Sequence, residues 1–272
     1  MWKVMADVTG TQTIIRTIHL LRLMASQSAA GARLTDLARA TRLPAPTVRR
    51  MLRCLLQEGM ASQDPTTRRY HLGPLVAELG LLTSHHQRRA ALCQPMLDRL
   101  ARETGDTVYL AIRSGFDAVS IARATTDGPV RITTTQVGDR LPLGVGPGGV
   151  VLLAALEHAE AEAAIATVEP ALATFGGFGA AELRSEVAFA RQRRFAISRE
   201  RITPGLSGIG VAVPQIAGHP PMALTLGSIS ARIEGDRCEW LAALLHAAAR
   251  DIAALLEGGD ARAVPAVDCT QV

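Results

Sequence analysis

The chain has no apolar run of membrane length. Its longest, Gly148 to Leu156, is far short of the roughly 20 residues that a spanning helix needs. No membrane partner is therefore expected. Cys54, Cys93, Cys238 and Cys269 are scattered, with no C-x-x-C pair and no histidine at zinc-ligand spacing, so no metal site is expected. The opening residues MWKVMADVTG hold one lysine and no apolar core, unlike a secretory leader. Unclustered cysteines without a leader suggest reduced thiols and a cytoplasmic protein. Also missing are a G-x-S-x-G elbow, an H-E-x-x-H pair, a P-loop and any paired His/Cys constellation. Those absences argue against an enzyme and against a cofactor. What the chain does have is length and apolar content. Its 272 residues, 48% hydrophobic, suit two domains with real cores.

One stretch matches a chemistry-bearing pattern. "LPLGVGPGGVVLLAAL", Leu141 to Leu156, places Gly144, Gly146 and Gly149 at G-x-G-x-x-G spacing before an apolar, helix-like run. In a dinucleotide-binding fold, such glycines follow a buried parallel strand. Here they follow Asp139-Arg140-Leu141-Pro142-Leu143, which has two charges and a proline and does not read as one. The residues about 20 beyond Gly149 are Glu169-Pro170, at the end of a helical pattern. The dinucleotide reading is set aside. The glycines must serve another purpose, in a ligand pocket or in turns and close packing.

Charge is unevenly distributed. Residues 1–72 hold 11 Lys and Arg against 4 acids, while the remainder is mildly acidic within a net charge of +4. A basic first quarter suggests a nucleic-acid module joined to something else. Thr13 to Met24 reads as a helix with Ile14, Ile15, Ile18 and Leu21 on one face. A short second helix starts at Leu34-Thr35-Asp36, with Thr35 as N-cap, and ends near Arg42-Leu43, before Pro44. A third runs from about Ala45 to Glu58, with Pro46 in its first turn and Gly59 at its end. Val48, Met51, Leu52 and Leu55 form its buried stripe. Thr47, Arg49, Arg50 and Arg53 lie off that stripe.

Two short strands, Met60–Gln63 and Arg69–Leu72, then flank an Asp64-Pro65-Thr66-Thr67 turn and carry Arg68 and Arg69. The order of helix, short helix, basic helix and basic hairpin reads as a winged helix–turn–helix. A helix fits the DNA major groove, and arginine reads guanine there by a bidentate contact. Arginines on a wing suit phosphate or minor-groove contact. Thr35, Pro46, Thr47, Arg49, Arg50, Arg53, Arg68 and Arg69 are the candidate DNA-binding residues.

Gly73 to about Thr104 reads as helix in two pieces, with a polar interruption at His85–Arg89 and a start or kink at Pro95. Three strand candidates follow, at 107–113, 118–125 and 130–137. Helices are expected at 148–156, 159–168 and 181–194, and strands at 195–199, 208–214 and 222–229. A last helix from about Asp236 to Leu256 buries Leu241, Leu244, Leu245, Ala248, Ile252 and Leu255. This is an α+β domain around one antiparallel sheet. The expected organisation is a DNA-binding domain over 9–72, a linker helix over 73–90, an effector-binding and oligomerisation domain over 91–257 and a loose tail over 258–272.

Taken in order, these features resemble the IclR family of bacterial transcriptional regulators. The stretches that carry the resemblance are "LTDLARATRLPAPTVRRMLRCLLQEGM", "RRYHLG", "GDRLPLGVGPGGVVLLA", "RRFAISRERITPGLSGIGVAVP" and "PMALTLGSISARI". Together they reach from about Thr11 to Leu256. The resemblance implies an N-terminal winged helix–turn–helix and a C-terminal GAF-like antiparallel-sheet domain. It implies a homodimer, often a dimer of dimers, on double-stranded operator DNA, repressing or activating transcription in the bacterial cytoplasm and nucleoid. It also implies a small organic acid effector. The family's pocket segments put Leu141, Leu143, Gly146, Gly148, Gly149, Ser198, Leu206, Gly208, Thr225 and Gly227 forward as effector-binding candidates. Pro147 removes one backbone N–H from the start of the glycine helix, leaving the amides of Gly148 and Gly149 for a carboxylate. The missing side chains at Gly208 and Gly227 suggest room for an aromatic acid. Arg199 and Arg201 flank this site. Two alternatives stay open on sequence: an architectural DNA-binding protein without a ligand, and an enzyme fused to a DNA-binding module.

Overall fold

In a computed structural model, the structure describes residues 11–26, 30–82, 85–126 and 135–260. They fall into two compact units divided at His85/His86.

The first unit holds α1 (Gln12–Ser26), α2 (Leu34–Thr41), α3 (Ala45–Gln57), a hairpin of β1 (Ala61–Gln63) and β2 (Tyr70–Leu72), and α4 (Pro74–Leu82). Its core gathers Leu20, Met24, Leu37, Val48, Met51, Leu52, Leu55 and Tyr70. The whole expected stripe of α3 is therefore buried. In α1 the buried face is Leu20 and Met24, whereas Ile14 and Ile18 are 59% and 44% exposed. That helix is apolar on several sides, so its periodicity alone could not select the inward face. Thr35 does not cap α2. Arg33 holds the N-cap position without a side-chain hydrogen bond, and Thr35 sits exposed in the first turn. α2 closes through Arg42 in a left-handed conformation, its N–H reaching the Ala38 and Arg39 carbonyls. The chain then turns through Pro44, the N-cap of α3.

The second unit is built on α5 (His85–Thr104), β3 (Thr107–Ser114), β4 (Asp117–Ala124), β5 (Arg140–Pro142), α6 (Pro147–Ala154), α7 (His158–Leu172), α8 (Ala180–Arg193), β6 (Ala196–Arg199), β7 (Leu206–Ala212), β8 (Met222–Ile229) and α9 (Gly235–Asp260). The six strands form one antiparallel sheet in the order β5-β4-β3-β8-β7-β6. Alternate residues serve two cores. Val108, Leu110 and Ile112 of β3 join Leu224 and Leu226 of β8 against α5 and α9. On the other face, Ala223 packs with α6, α7 and α8. A sheet buried on both faces shows little alternation in hydropathy, which is why β3 reads as a continuous apolar run.

The elements differ from the sequence reading in four places. His85–Arg89 is helical, and Pro95 lies inside α5; residues 83–84, between α4 and α5, lie outside the described residues. The strand expected over 130–137 lies mostly outside them too, and 135–137 are not strand. The edge strand is β5, in the segment dismissed for its charges and proline. It is short, antiparallel and held by Arg140, whose Nε and Nη2 donate to Asp117 Oδ2 at 3.1 and 2.8 Å. A charged edge strand of this kind is compatible with a sheet margin, and it is not the buried parallel strand a dinucleotide fold requires. Finally, α9 buries Leu256 where Leu255 was expected, and Leu255 is exposed. The expected tail from 258 lies mostly outside the described residues, and α9 runs to Asp260.

Candidate functional site

The candidate DNA-binding residues of α3 lie together on the exposed side of that helix. The stripe of α3 is turned into the core, so Pro46, Arg49, Arg50 and Arg53 face outward, with Thr47 half-buried. Ala45, Pro46, Arg49, Arg50 and Arg53 line one shallow concavity. Among the described residues, no carboxylate pairs with Arg49, Arg50 or Arg53. Three guanidiniums on an exposed helix face, uncompensated by acids, favour contact with a polyanion.

The hairpin treats its two arginines differently. Asp64 holds the turn by accepting the backbone N–H groups of Thr66 and Thr67 at 2.8 and 2.7 Å. Those bonds favour the ionised form and hold its carboxyl below the ordinary aspartate value. Arg68 is exposed in a left-handed conformation at φ 57°. Arg69 is committed to the fold: its Nη1 donates to the carbonyls of Ala30 and Gly31 at 3.0 and 2.9 Å. It ties the hairpin to the segment before α2, and is a positioning residue for the wing.

In the second unit, a cavity of about 110 Å³ lies between α6, the sheet and the segment joining β6 to β7. Nine of the ten effector candidates line it: Leu141, Gly146, Gly148, Gly149, Ser198, Leu206, Gly208, Thr225 and Gly227. Leu143 does not. It is fully buried in the α6–α7–α8 core.

The glycines divide into distinct tasks. Gly144 turns the chain at φ 95°, and a Cβ there would collide with the Leu183 side chain at 2.6 Å. A Cβ on Gly149 would meet the backbone nitrogen of Gly144 at 2.6 Å. One on Gly148 would stand 2.9 Å from Thr225 Cγ2. Gly148 and Gly149 let α6 lie close on the sheet and on its own approach loop, and Gly144 lets that loop lie against α8. Gly146 is different: a Cβ there would have nothing nearer than 4.0 Å, with Ile202 and Leu141 around it. Of the three glycines of this segment on the lining, it is the one with room for a side chain. α6 starts with Gly146 as N-cap and Pro147 in the first turn. Val150 makes the bond to the Gly146 carbonyl, at 3.1 Å. The N–H groups of Gly148 and Gly149, ahead of it, lack a carbonyl four residues back within the helix. Gly208 does not enlarge the cavity as expected. The Pro147 ring fills its missing side chain, with Cγ 3.0 Å from the position a Cβ would take.

Polar residues on the lining that were not among the effector-binding candidates include Ser120 and Arg201. Ser120 comes from β4, and Arg201 from the segment after β6. Of the two arginines flanking this segment, Arg199 is exposed, whereas the Arg201 side chain is 8% exposed. Its guanidinium stacks 3.5 Å from the centre of the Phe178 ring. Its Nη2 donates to Glu182 at 3.0 Å and to Glu186. Burial pushes the Glu186 carboxyl up, against the opposite pull of Arg201. The spacing of Glu182 and Glu186, one turn apart on α8, is the trace of this arrangement in the sequence. No cluster of His, Cys, Asp or Glu able to hold a metal occurs among the described residues, nor is any described helix long and apolar enough to cross a membrane.

A helix–turn–helix with a basic outward face, joined to an α+β unit enclosing a cavity, defines a DNA-binding regulator with a separate sensory domain. Comparison with known proteins agrees. The family description "IclR helix-turn-helix domain" matches residues 13–65, and "Bacterial transcriptional regulator IclR C-terminal" matches residues 82–254. The chain belongs to the IclR family, whose members are DNA-binding transcription factors and not enzymes. It is 28% identical over 250 residues to the HTH-type transcriptional repressor AllR of Escherichia coli K12, across 91% of each chain. A crystal structure of a family regulator from Alicyclobacillus acidocaldarius superposes with a TM-score of 0.71, at 24% identity, over 89% of this chain and 98% of that one. A homolog from Microbacterium hydrocarbonoxydans, crystallised with 4-hydroxybenzoate, gives 0.71 at 20% identity, over 91% of this chain and all of the other.

Proposed function

We propose that α3 reads operator DNA through Arg49, Arg50 and Arg53, with Pro46 and Thr47 at its leading turn, Thr35 at the start of α2 on a phosphate, and Arg68 on the wing making a further phosphate contact. The uncompensated basic face of α3 carries this reading. Two copies of the chain bind a two-fold operator, each inserting one α3 into a major groove about one helical turn apart. Pairing of such dimers into a tetramer, in the cytoplasm and on the nucleoid, is part of the same reading.

The cavity of the second unit binds a small organic acid that changes the affinity for DNA. Its carboxylate is held by the N–H groups of Gly148 and Gly149, where the helix end favours negative charge. The 4-hydroxybenzoate held by the Microbacterium homolog makes aromatic acids the first class to examine. The test is selection of a duplex from a random pool, followed by titration with and without each of a panel of carboxylic acids. The expected result is a shift in DNA affinity of about fivefold or more with at least one acid. Sequence-specific binding that no acid shifts would support an architectural protein instead.

A further inference from the structure

We propose that residues 200–205 form a flap over the cavity, latched shut by Arg201, so that the latch sets how fast a ligand enters and leaves. This concerns the regulation of the same site and rests on the reading of the cavity as the effector site.

Most of the cavity wall comes from α6 and from strands of the sheet, each paired with its neighbours. The segment between β6 and β7 is the exception. It contributes Arg201, Ile202 and Thr203 to the lining. Ile202 is also 40% exposed, so its side chain stands between the cavity and solvent. Its Cδ1 lies 4.0 Å from the place a Cβ on Gly146 would take, which carries the segment across to the start of α6. The backbone here is lightly held. Glu200 donates to the Leu206 carbonyl at 3.0 Å and Leu206 to the Thr203 carbonyl at 3.2 Å, closing the segment on itself. Among the described residues, the N–H groups of Arg201, Ile202 and Thr203 donate to no backbone carbonyl, and Pro204 has no N–H to give. Both ends are in left-handed conformations, Glu200 at φ 53° and Gly205 at φ 78°. That region is disfavoured for a glutamate, and such residues recur in switch segments.

One side chain ties this segment to its surroundings. Arg201 Nη2 donates to Glu182 and Glu186 of α8, and the guanidinium lies on the Phe178 ring. Among the described residues, no other side chain of 200–205 makes a hydrogen bond or ion pair. The tie is also incomplete. Arg201 Nη1 and Glu186 Oε2 are both buried, and each lacks a partner. Buried polar groups are normally satisfied, so the closed arrangement forgoes a bond on each side of the pair. Opening lets water reach both groups and offsets part of the cost of breaking the latch. Elements that move are drawn from such weakly held parts of a fold. The flap therefore closes through a single releasable contact, while the sheet and α6 stay in place.

The experiment is thiol labelling of the full chain with methyl methanethiosulfonate, read at each site by peptide mass spectrometry. Ser120→Cys puts a thiol on the cavity wall, where Ser120 Oγ makes no hydrogen bond, in a background carrying Cys54→Ser and Cys269→Ser. Cys93, fully buried in the core, reports opening of the whole unit. The thiol at 120 is expected to react more slowly than a free cysteine. Cutting the latch with Glu182→Ala and Glu186→Gln raises its rate about fivefold or more, the equivalent of one or two hydrogen bonds, and Cys93 does not follow. Glu182→Ala alone, at an exposed position, gives the same direction if the double variant does not fold. A thiol at 120 as reactive as free cysteine, a rate indifferent to the latch, or an equal rise at Cys93 would overturn the proposal. No ligand enters this measurement, so it stands apart from the acid panel. Latch-gated labelling beside a panel in which no acid binds would fault the effector reading and uphold the flap.

Discussion

A Cβ on Gly208 would stand 3.0 Å from Pro147 Cγ and 3.3 Å from the Leu226 carbonyl oxygen. The proline that opens α6 and the glycine of β7 are thus fitted to one another. Gly208→Ala should lower stability by about 1–2 kcal/mol through overpacking. Combining it with Pro147→Ala should recover part of that loss, because the clash needs both partners. Denaturant unfolding of the single and double variants measures the coupling. Strict additivity would show that the ring and the strand do not constrain each other.

The glycines of the α6 segment separate packing from binding. Gly146→Ala adds a methyl where there is open space and φ is an ordinary −117°. It should cost less than about 1 kcal/mol in stability while weakening any acid bound in the cavity. Gly148→Ala meets Thr225 Cγ2 at 2.9 Å and should lower the melting temperature. Thr225→Ser, which removes that methyl, should partly restore it. Thermal unfolding and ligand titration of the three variants distinguish the two roles. A Gly146→Ala protein with full ligand affinity would move the effector elsewhere.

The wing arginines should fail in different ways. Arg69→Ala loses both hydrogen bonds to the Ala30 and Gly31 carbonyls and should destabilise the first unit by about 1–2 kcal/mol. Arg68→Ala should leave the melting temperature unchanged. It should reduce DNA affinity alike on all sequences and lower the salt-dependence slope by about one. Equal loss of stability in both variants would contradict this division.

Asp64 gives the wing a pH limit. Its carboxyl is held below the ordinary value by the Thr66 and Thr67 N–H bonds. A depressed folded value means that the turn's stabilisation is complete above the unfolded aspartate range. It is lost as pH falls through the lower, folded value. Near-neutral conditions leave the turn intact. Asp64→Ala should speed amide exchange at Thr66 and Thr67 at neutral pH, and a wild-type Asp64 titrating at or above about 3.9 would contradict the bonding.

The helices were legible wherever polar residues marked one side. Val48, Met51, Leu52 and Leu55 are all buried, because Thr47, Arg49, Arg50 and Arg53 leave a single inward face. In α1 the apolar residues surround the helix, and tertiary packing chose Leu20 and Met24. β5 was hidden because its stability comes from a partner strand and from Asp117, 23 residues away. The cavity segments were visible as motifs, yet their chemistry was not. Arg199 and Arg201 are the same residue type two positions apart, and contacts with Phe178, Glu182 and Glu186 decide which is buried. The family's pocket segments put Leu143 forward as a lining residue, and the fold buries it in the α6–α7–α8 core instead.

The central claim is that α3 reads DNA. The most direct test is fluorescence anisotropy of the full chain on a duplex recovered by selection from a random pool, across a range of salt. The account predicts sequence-specific binding that weakens steeply with salt. It predicts that Arg49→Ala and Arg50→Ala each lose at least about tenfold in affinity, with unfolding and acid titration unchanged. Unaltered affinity in both variants would contradict it.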